Sequence, residues 1–324
     1  MLYPWQNMAW ETLGAKLGQL PHALLIQGAQ GIGKLALAER FAQRLLCEAA
    51  NERNSPCGKC DGCRWIDAGS HPDLRRVEPE ALARRYGAED PEQPAAEPGR
   101  TTKPSNEIKV DQIRALDGFL NLKSHRGGRR VALVHPAEAM NPNAANALLK
   151  GLEEPPGSAL FILVSHRPAR LLATIRSRCV AVPIEVPETA ASLAWLEGQG
   201  LPEPAPWLAF AGGSPLVALS LATEAGATLA RLRGALKARD LDTLRAVNDR
   251  EQLEQLAEVL QKHALDSAFA AYGGRAKYGS AAGARQGAAW LRFARLMGRN
   301  RALARHPLNP RLFAGEMLRE MPEE

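Results

Sequence analysis

The stretch "GAQGIGKL" at residues 28–35 determines the fold expected of this chain. Its spacing is that of a phosphate-binding loop, in which two glycines frame the loop and a lysine follows the second one. The candidate residues for binding phosphates are Gly28, Gly31, Gly33 and Lys34. The last position of such a loop normally carries a hydroxyl group that binds Mg²⁺, but here it is Leu35. The stretch therefore predicts the frame of a nucleotide-hydrolysing enzyme without one of its metal ligands.

The segments on either side of the loop predict alternating strands and helices. The apolar run "HALLIQ" at 22–27 leads into the loop, and the residues from Lys34 onward carry apolar side chains at helical spacing. The runs "RVALVH" at 130–135 and "ALFILVS" at 159–165 are typical of strands buried on both faces. Between them, a helix is expected to begin at Asn141 as its N-cap. This order predicts an α/β domain whose parallel sheet is covered by helices on both faces.

The end of the strand at 130–134 lacks the acids of an active ATPase. Such an enzyme needs an Asp there to hold Mg²⁺ and usually a Glu to prepare the attacking water. This chain has His135 and Pro136 instead, and Glu138 follows three residues after the histidine. Because Leu35 also removes the hydroxyl ligand, we expect no hydrolysis in the chain's own site and weak or absent nucleotide binding.

Four of the five cysteines form a candidate metal site. They are Cys47, Cys57, Cys60 and Cys63, the last three in "CGKCDGC". Two C-x-x-C steps that share a cysteine, with a fourth thiol shortly before them, are typical of a tetrahedral zinc site. Because thiolates fill all four positions, the zinc is expected to be structural. Disulfides and an iron–sulfur cluster are the alternatives.

Composition sets wider limits. A chain of 324 residues with 45% hydrophobic residues predicts about two or three domains. The net charge of +6 permits contact with nucleic acid without requiring it. No apolar run approaches the roughly 20 residues that span a bilayer, and the N-terminal residues do not read as a secretion signal. We therefore expect a cytoplasmic protein with no membrane contact.

Several specific stretches resemble one protein family. They are "YPWQ" at 3–6, the cysteine cluster, "SHPDLRRVEPE" at 70–80, "NALLKGLEEPP" at 146–156 and "PARLLATIRSRC" at 168–179. Together they are similar to the delta-prime subunits of the bacterial DNA polymerase III clamp loader, which belong to the AAA+ superfamily. The resemblance covers most of the first 220 residues, and the helix-rich last third is similar to the family's collar domain.

The resemblance implies a role within a complex. Clamp loaders are five-membered rings that contain gamma/tau-like ATPase subunits and a delta-like subunit, and they use ATP to load a sliding clamp onto primer-template DNA. In this family the "SRC" motif of one subunit inserts its arginine into a neighbour's ATP site. The motif here is Ser177–Arg178–Cys179, so Arg178 is the candidate trans-acting arginine finger, with Arg176 close by. The function that this implies is a non-hydrolysing stator subunit of the DNA polymerase III holoenzyme, a DNA-directed DNA polymerase complex.

The resemblance also implies a domain organisation. An AAA+ α/β domain is expected at residues 1–167, with the zinc module inserted at about 47–63. A loop rich in proline, alanine and charge at about 78–106 is expected to be mobile. A helical lid domain follows at 168–222, and a helical collar domain, which mediates oligomerisation, at 223–324.

Two other functions are consistent with some of these features. An active P-loop ATPase requires that Glu138 or another acid coordinates Mg²⁺. A zinc-dependent DNA-binding protein requires a basic surface around the metal, whereas "CGKCDGC" carries one lysine and one aspartate.

Overall fold

The computed structural model describes residues 2–49, 55–85, 104–122, 124–125, 128–279, 286–304 and 306–322. The chain divides into two units, Met1–Val186 and Pro187–Glu324. Most of the loop expected at 78–106 lies outside the described residues.

Five parallel strands form the sheet in the described part of the first unit, in the order β2-β3-β4-β1-β5. They are β1 (Ala23–Gln27), β2 (Leu74–Val77), β3 (Arg130–Val134), β4 (Ala159–Ser165) and β5 (Val180–Pro183). The three strands expected from the apolar runs are β1, β3 and β4, and these lie side by side in the sheet. The predicted fold class, a parallel α/β sheet with a helical C-terminal region, is confirmed.

Helices cover both faces of this sheet. The α-helices in the described part of the first unit are α1 (Asn7–Ala15), α2 (Lys34–Leu46), α3 (Asp61–Asp67), α4 (Glu80–Arg85), α5 (Val110–Asn121), α6 (Pro142–Glu153) and α7 (Ala173–Arg178). Of these, α1 and α2 join the core on one face of the sheet, and α5, α6 and α7 join the core on the other. Successive side chains of a strand point to opposite faces, so β4 contributes to two separate apolar clusters. Phe161 packs with residues of α5, α6 and α7, whereas Ile162 packs with residues of α1 and α2. Each face of the sheet therefore has its own core.

The described part of the second unit is helical. Its helices are α8 (Thr189–Gly198), α9 (Pro204–Phe210), α10 (Pro215–Glu224), α11 (Gly226–Ala238), α12 (Leu241–Arg245), α13 (Arg250–Ala271), α14 (Gly287–Leu303) and α15 (Pro310–Arg319). The largest apolar cluster of the unit is built mainly from α11, α13, α14 and α15. Among the described residues, no single helix has the length and apolar character needed to cross a membrane; only α9 and α10, taken together as a pair bent by 110°, pass that test.

The segment 168–186 lies in the first unit. Its strand β5 pairs with β1, with Val180 opposite Leu24 and Val182 opposite Ile26. The sequence placed the start of the lid domain at residue 168, whereas the compact first unit extends to Val186. The division into AAA+, lid and collar domains stays a prediction.

Candidate functional site

The phosphate-binding loop joins β1 to α2, and its glycines have backbone angles that other residues avoid. Gly28, Gly31 and Gly33 have φ values of 154°, 76° and 81°. A Cβ at Gly28 would lie 2.2 Å from the Ile184 carbonyl oxygen, so this position also leaves no room for a side chain. The helix α2 begins at Lys34, with Gly33 as its N-cap. The chain thus forms the strand, loop and helix start from which phosphate-binding sites are built.

Lys34 is turned back onto the loop. Its side chain is only 2% exposed, and its ammonium group donates a hydrogen bond to the carbonyl oxygen of Ala29 in the same loop. Burial lowers the pKa of Lys34 to about 8, against the opposing attraction of Glu138. The lysine expected to contact phosphates therefore satisfies a carbonyl group of its own loop.

The N-terminal segment packs against the same loop. Trp5 Nε1 donates to the Ile32 carbonyl at 3.0 Å, and the buried Gln6 Nε2 donates to the Gly33 carbonyl at 2.8 Å. The ring of Tyr3 stacks on Trp5, with centroids 5.1 Å apart. Sequence reasoning used "YPWQ" only as part of a resemblance and missed these contacts, which join residues about 27 positions apart.

At the end of β3, where an ATPase places carboxylates, this chain has a histidine that lies against a second histidine from the end of β4. His135 follows β3 and His166 follows β4, and their Nε2 atoms lie 3.3 Å apart. Burial lowers the pKa of each to about 4, with a further contribution from His166 at His135 and from Lys34 at His166. Both imidazoles are therefore neutral near pH 7. The sequence showed that His135 stands in place of an expected acid, but it gave no sign that His166 lies against it.

Two further residues of the expected ATP site, Glu138 and Leu35, make other contacts. Both carboxylate oxygens of Glu138 accept from the backbone N–H of His166, at 3.0 and 3.2 Å. This acid therefore supports the turn after β4. The side chain of Leu35 packs against the apolar cluster that α1 and α2 share with the sheet.

The four-cysteine cluster has the dimensions of a tetrahedral metal site. Its four sulfur atoms all lie within 4.8 Å of one another. Cys47 Sγ is 3.8 Å from Cys60 Sγ, and Cys57 Sγ is 4.0 Å from Cys63 Sγ. A zinc ion with bonds of about 2.3 Å separates its sulfur ligands by about 3.8 Å, so the spacing fits. All four cysteines are free thiols, which argues against the disulfide alternative.

The backbone of the cluster favours thiolates. Backbone N–H groups donate to three sulfurs: that of Cys57 to Cys47 Sγ at 3.3 Å, that of Cys60 to Cys57 Sγ and that of Cys63 to Cys60 Sγ, both at 3.4 Å. Such bonds from the Lys59 and Cys60 backbone lower the pKa of the Cys57 thiol to about 6. Burial raises the pKa of Cys63, so a cation bound here would be needed to keep that sulfur ionised.

Close packing positions the cysteine module at the C-terminal end of α2. Gly58 has a left-handed φ of 70°, and a Cβ at Gly62 would lie 2.6 Å from the Leu46 carbonyl oxygen. The buried Gln43 of α2 donates to Asp67 of α3 at 3.0 Å. Lys34 and Cys47 stand at opposite ends of α2, which at 1.5 Å per residue are roughly 20 Å apart. The metal candidate therefore lies away from the phosphate-binding loop.

Arg178, the candidate finger, is the last residue of α7 and is held at two points. Its Nη2 atom forms an ion pair with Glu153 Oε1 at 2.7 Å, and its Nη1 atom donates to the Thr174 carbonyl at 3.0 Å. Within the part of the chain that the structure describes, the exposed Arg176 has no ion pair. Arg176 and Arg178, which lie close together in the sequence, thus differ in their contacts.

Comparisons with known proteins agree with this fold. A family model described as "DNA polymerase III, delta subunit" matches residues 6–188. The DNA polymerase III subunit delta' of Pseudomonas aeruginosa is 47% identical over 225 residues, which are 68% of this chain and 61% of the relative. The subunit delta' of Escherichia coli is 36% identical over 224 residues, with 68% and 60% covered. The matched part of the chain thus spans about three fifths of these relatives.

The fold also matches a solved structure. The gamma subunit-related DNA polymerase III protein from Thermotoga maritima aligns with a TM-score of 0.51 and 19% identity, covering 96% of this chain and 97% of that protein. At this identity the likeness concerns the fold alone, whereas the family model and the relatives concern the sequence. On the family match over more than half of its length, the chain belongs to the family of DNA polymerase III delta-prime subunits.

Proposed function

We propose that this chain is a non-hydrolysing stator subunit of a bacterial DNA polymerase III clamp loader. In this role it joins gamma/tau-like ATPase subunits and a delta-like subunit in a five-membered ring that loads the sliding clamp onto primer-template DNA. The observation that carries the proposal is the neutral imidazole of His135, packed against His166, at the end of β3 where an ATPase binds Mg²⁺ through a carboxylate. This role implies the cytoplasm as its location and the DNA-directed DNA polymerase holoenzyme as its complex.

Weak or absent nucleotide binding follows from the state of the loop. A phosphate would have to take the Lys34 ammonium group away from the Ala29 carbonyl, with which it is buried. Without protein ligands for Mg²⁺, little binding energy remains to offset that loss.

We assign Arg178 the role of an arginine finger that acts in a neighbouring subunit. Its side chain is 34% exposed at the end of α7, so another protein can reach it. An arginine in this role stabilises the charge that develops on the transferred phosphate, and it raises the rate of hydrolysis by a factor of about 10³–10⁵. The four-cysteine cluster, in this proposal, binds one structural zinc ion that shapes the region after α2.

The assignment is tested by ATP turnover in a clamp loader assembled with and without the substitution Arg178→Ala. We expect hydrolysis at the site next to this chain to fall by about 10³ or more, with assembly unchanged. Arg176→Ala is the matched control, because this arginine lies on the same helix and has no ion pair in the described part of the chain. Equal turnover for wild type and Arg178→Ala would refute the finger, and steady hydrolysis by the isolated chain would refute the stator.

A further inference from the structure

The candidate finger is held by an acidic residue from a different helix. Glu153 is the last residue of α6, and its carboxylate contacts the guanidinium group of Arg178 at the end of α7. Ile175, on the same helix as the arginine, is fully buried in the core that α6 also joins. The backbones that carry the two charged groups are therefore fixed against one sheet face.

The two contacts fix the guanidinium group of Arg178 and leave some of its N–H donors available to another acceptor. An arginine side chain carries five N–H donors in one plane. One bond goes from Nη2 to Glu153 and one from Nη1 to the Thr174 carbonyl, so three N–H groups remain for another acceptor. Two fixed points on a planar group define its direction, whereas a free arginine samples many rotamers.

The same carboxylate supplies a counter-charge. An arginine that enters a subunit interface is costly to bury unless an anion is near it. Glu153 is itself 49% exposed beside the arginine, so the pair can enter such an interface together. The carboxylate of Glu153 thus lowers the cost of burying the Arg178 guanidinium group in the interface when the neighbour holds no nucleotide.

We propose that Glu153 is a positioning residue that orients Arg178 toward the terminal phosphates of a nucleotide bound by the neighbouring subunit. This inference rests on the proposed function of Arg178. The residue after Glu153, Glu154, is also exposed but has no ion pair within the described residues. Glu154 therefore provides a matched control of the same charge and chain position.

The test is steady-state ATP hydrolysis by the assembled clamp loader that contains the variant chain. We expect Glu153→Ala to lower kcat about two- to fivefold, the range of an exposed ion pair, and to leave KM unchanged. Glu153→Gln, which keeps an oxygen acceptor, should recover part of the loss. Glu154→Ala should behave as wild type, and adding Glu153→Ala to Arg178→Ala should cause no further loss, because the acid acts only through the arginine.

The outcomes separate this inference from the proposed function. If Arg178→Ala lowers turnover and Glu153→Ala does not, Glu153 has no positioning role and the finger remains. If Arg178→Ala has no effect, the finger itself is wrong and the inference falls with it. A similar loss with Glu154→Ala, or an additional loss in the double variant, overturns the inference because the effect then does not pass through Arg178.

Discussion

Gly33 meets two separate restrictions at the point where the phosphate-binding loop becomes a helix. Its φ of 81° is left-handed, and a Cβ on it would lie 2.3 Å from the ring of Tyr3. Gly69 has a similar φ of 72° but nothing within 4 Å of an added Cβ. The two glycines therefore separate the cost of the backbone angle from the cost of a clash.

We predict that Gly33→Ala destabilises the chain more than Gly69→Ala. The left-handed backbone costs about 1–2 kcal/mol at either position, and the contact with Tyr3 should add about 1–3 kcal/mol at Gly33 alone. The free energies of unfolding in urea measure both. Equal losses would mean that Tyr3 does not pack on the loop as described.

The buried histidine pair makes the first unit sensitive to acid. In the unfolded chain His135 and His166 bind protons below about pH 6.5, whereas in the folded chain their pKa values are about 4. Between these values the unfolded state binds more protons, so the free energy of unfolding rises with pH and is lost as the pH falls. For His135 the loss reaches about 3 kcal/mol near pH 4.

We predict that His166→Gln reduces this pH dependence. The variant removes one of the two groups that titrate between pH 6.5 and 4, and it also removes the unfavourable neighbour of His135. Urea unfolding at several pH values in that window measures the slope for both proteins. Parallel curves for wild type and variant would show that the pair is not buried in its neutral form.

Among the elements, those with strong local signals were predicted well. The helix α6 begins as expected, with Asn141 Oδ1 accepting from the Ala144 N–H at 2.8 Å and proline in the first position. The strand β2 was missed. It lies at the edge of the sheet, contains two arginines in "LRRV", and fully buries only Val77, so it has no apolar run to recognise.

The cysteine module offers the clearest test at this scale. We predict about one zinc ion per chain and its loss in Cys60→Ser, since that sulfur accepts the Cys63 N–H and lies 3.8 Å from Cys47. The first unit should lose several kcal/mol of stability, a part of the roughly 10 kcal/mol that small structural zinc sites provide. Elemental analysis and urea unfolding measure the two effects.

Cys179→Ser is the control for the metal content, because this buried cysteine lies outside the cluster. It should keep the zinc that Cys60→Ser loses. Iron in place of zinc, or no metal in the wild-type chain, contradicts the assignment.

Over the whole molecule, what could be predicted depends on how far apart the interacting residues are in the chain. The cysteine cluster has its ligands within 16 positions, so its spacing alone identified it. The partners of the other sites are distant: 31 positions separate His135 from His166, and 27 separate Gln6 from Gly33. Glu153 meets Arg178 only because α6 and α7 pack on the same sheet face. Such pairs depend on tertiary folding, which a reading of local patterns does not capture.

Contacts between residues distant in the chain also determine where the first unit ends. A boundary at residue 167 separates β5 from β1, although the two strands pair from Leu24 to Gln27. It also removes Ile175 and Val182, which are buried in the two cores of the sheet. Burial of each such side chain contributes about 1.5–3 kcal/mol. A fragment that ends after residue 186 should therefore have a larger free energy of unfolding than one that ends at residue 167.

We predict that residues 1–186 fold on their own and that residues 1–167 do not. The apolar clusters of the first unit draw only on residues up to Ile184, so a cut after Val186 leaves both complete. Cooperative urea unfolding and retained zinc in the 1–186 fragment are the expected results, with the full chain as the control. If the 1–167 fragment unfolds with the same cooperativity and stability, β5 and α7 contribute nothing to this core, and residues 168–186 then belong with the helical part that follows.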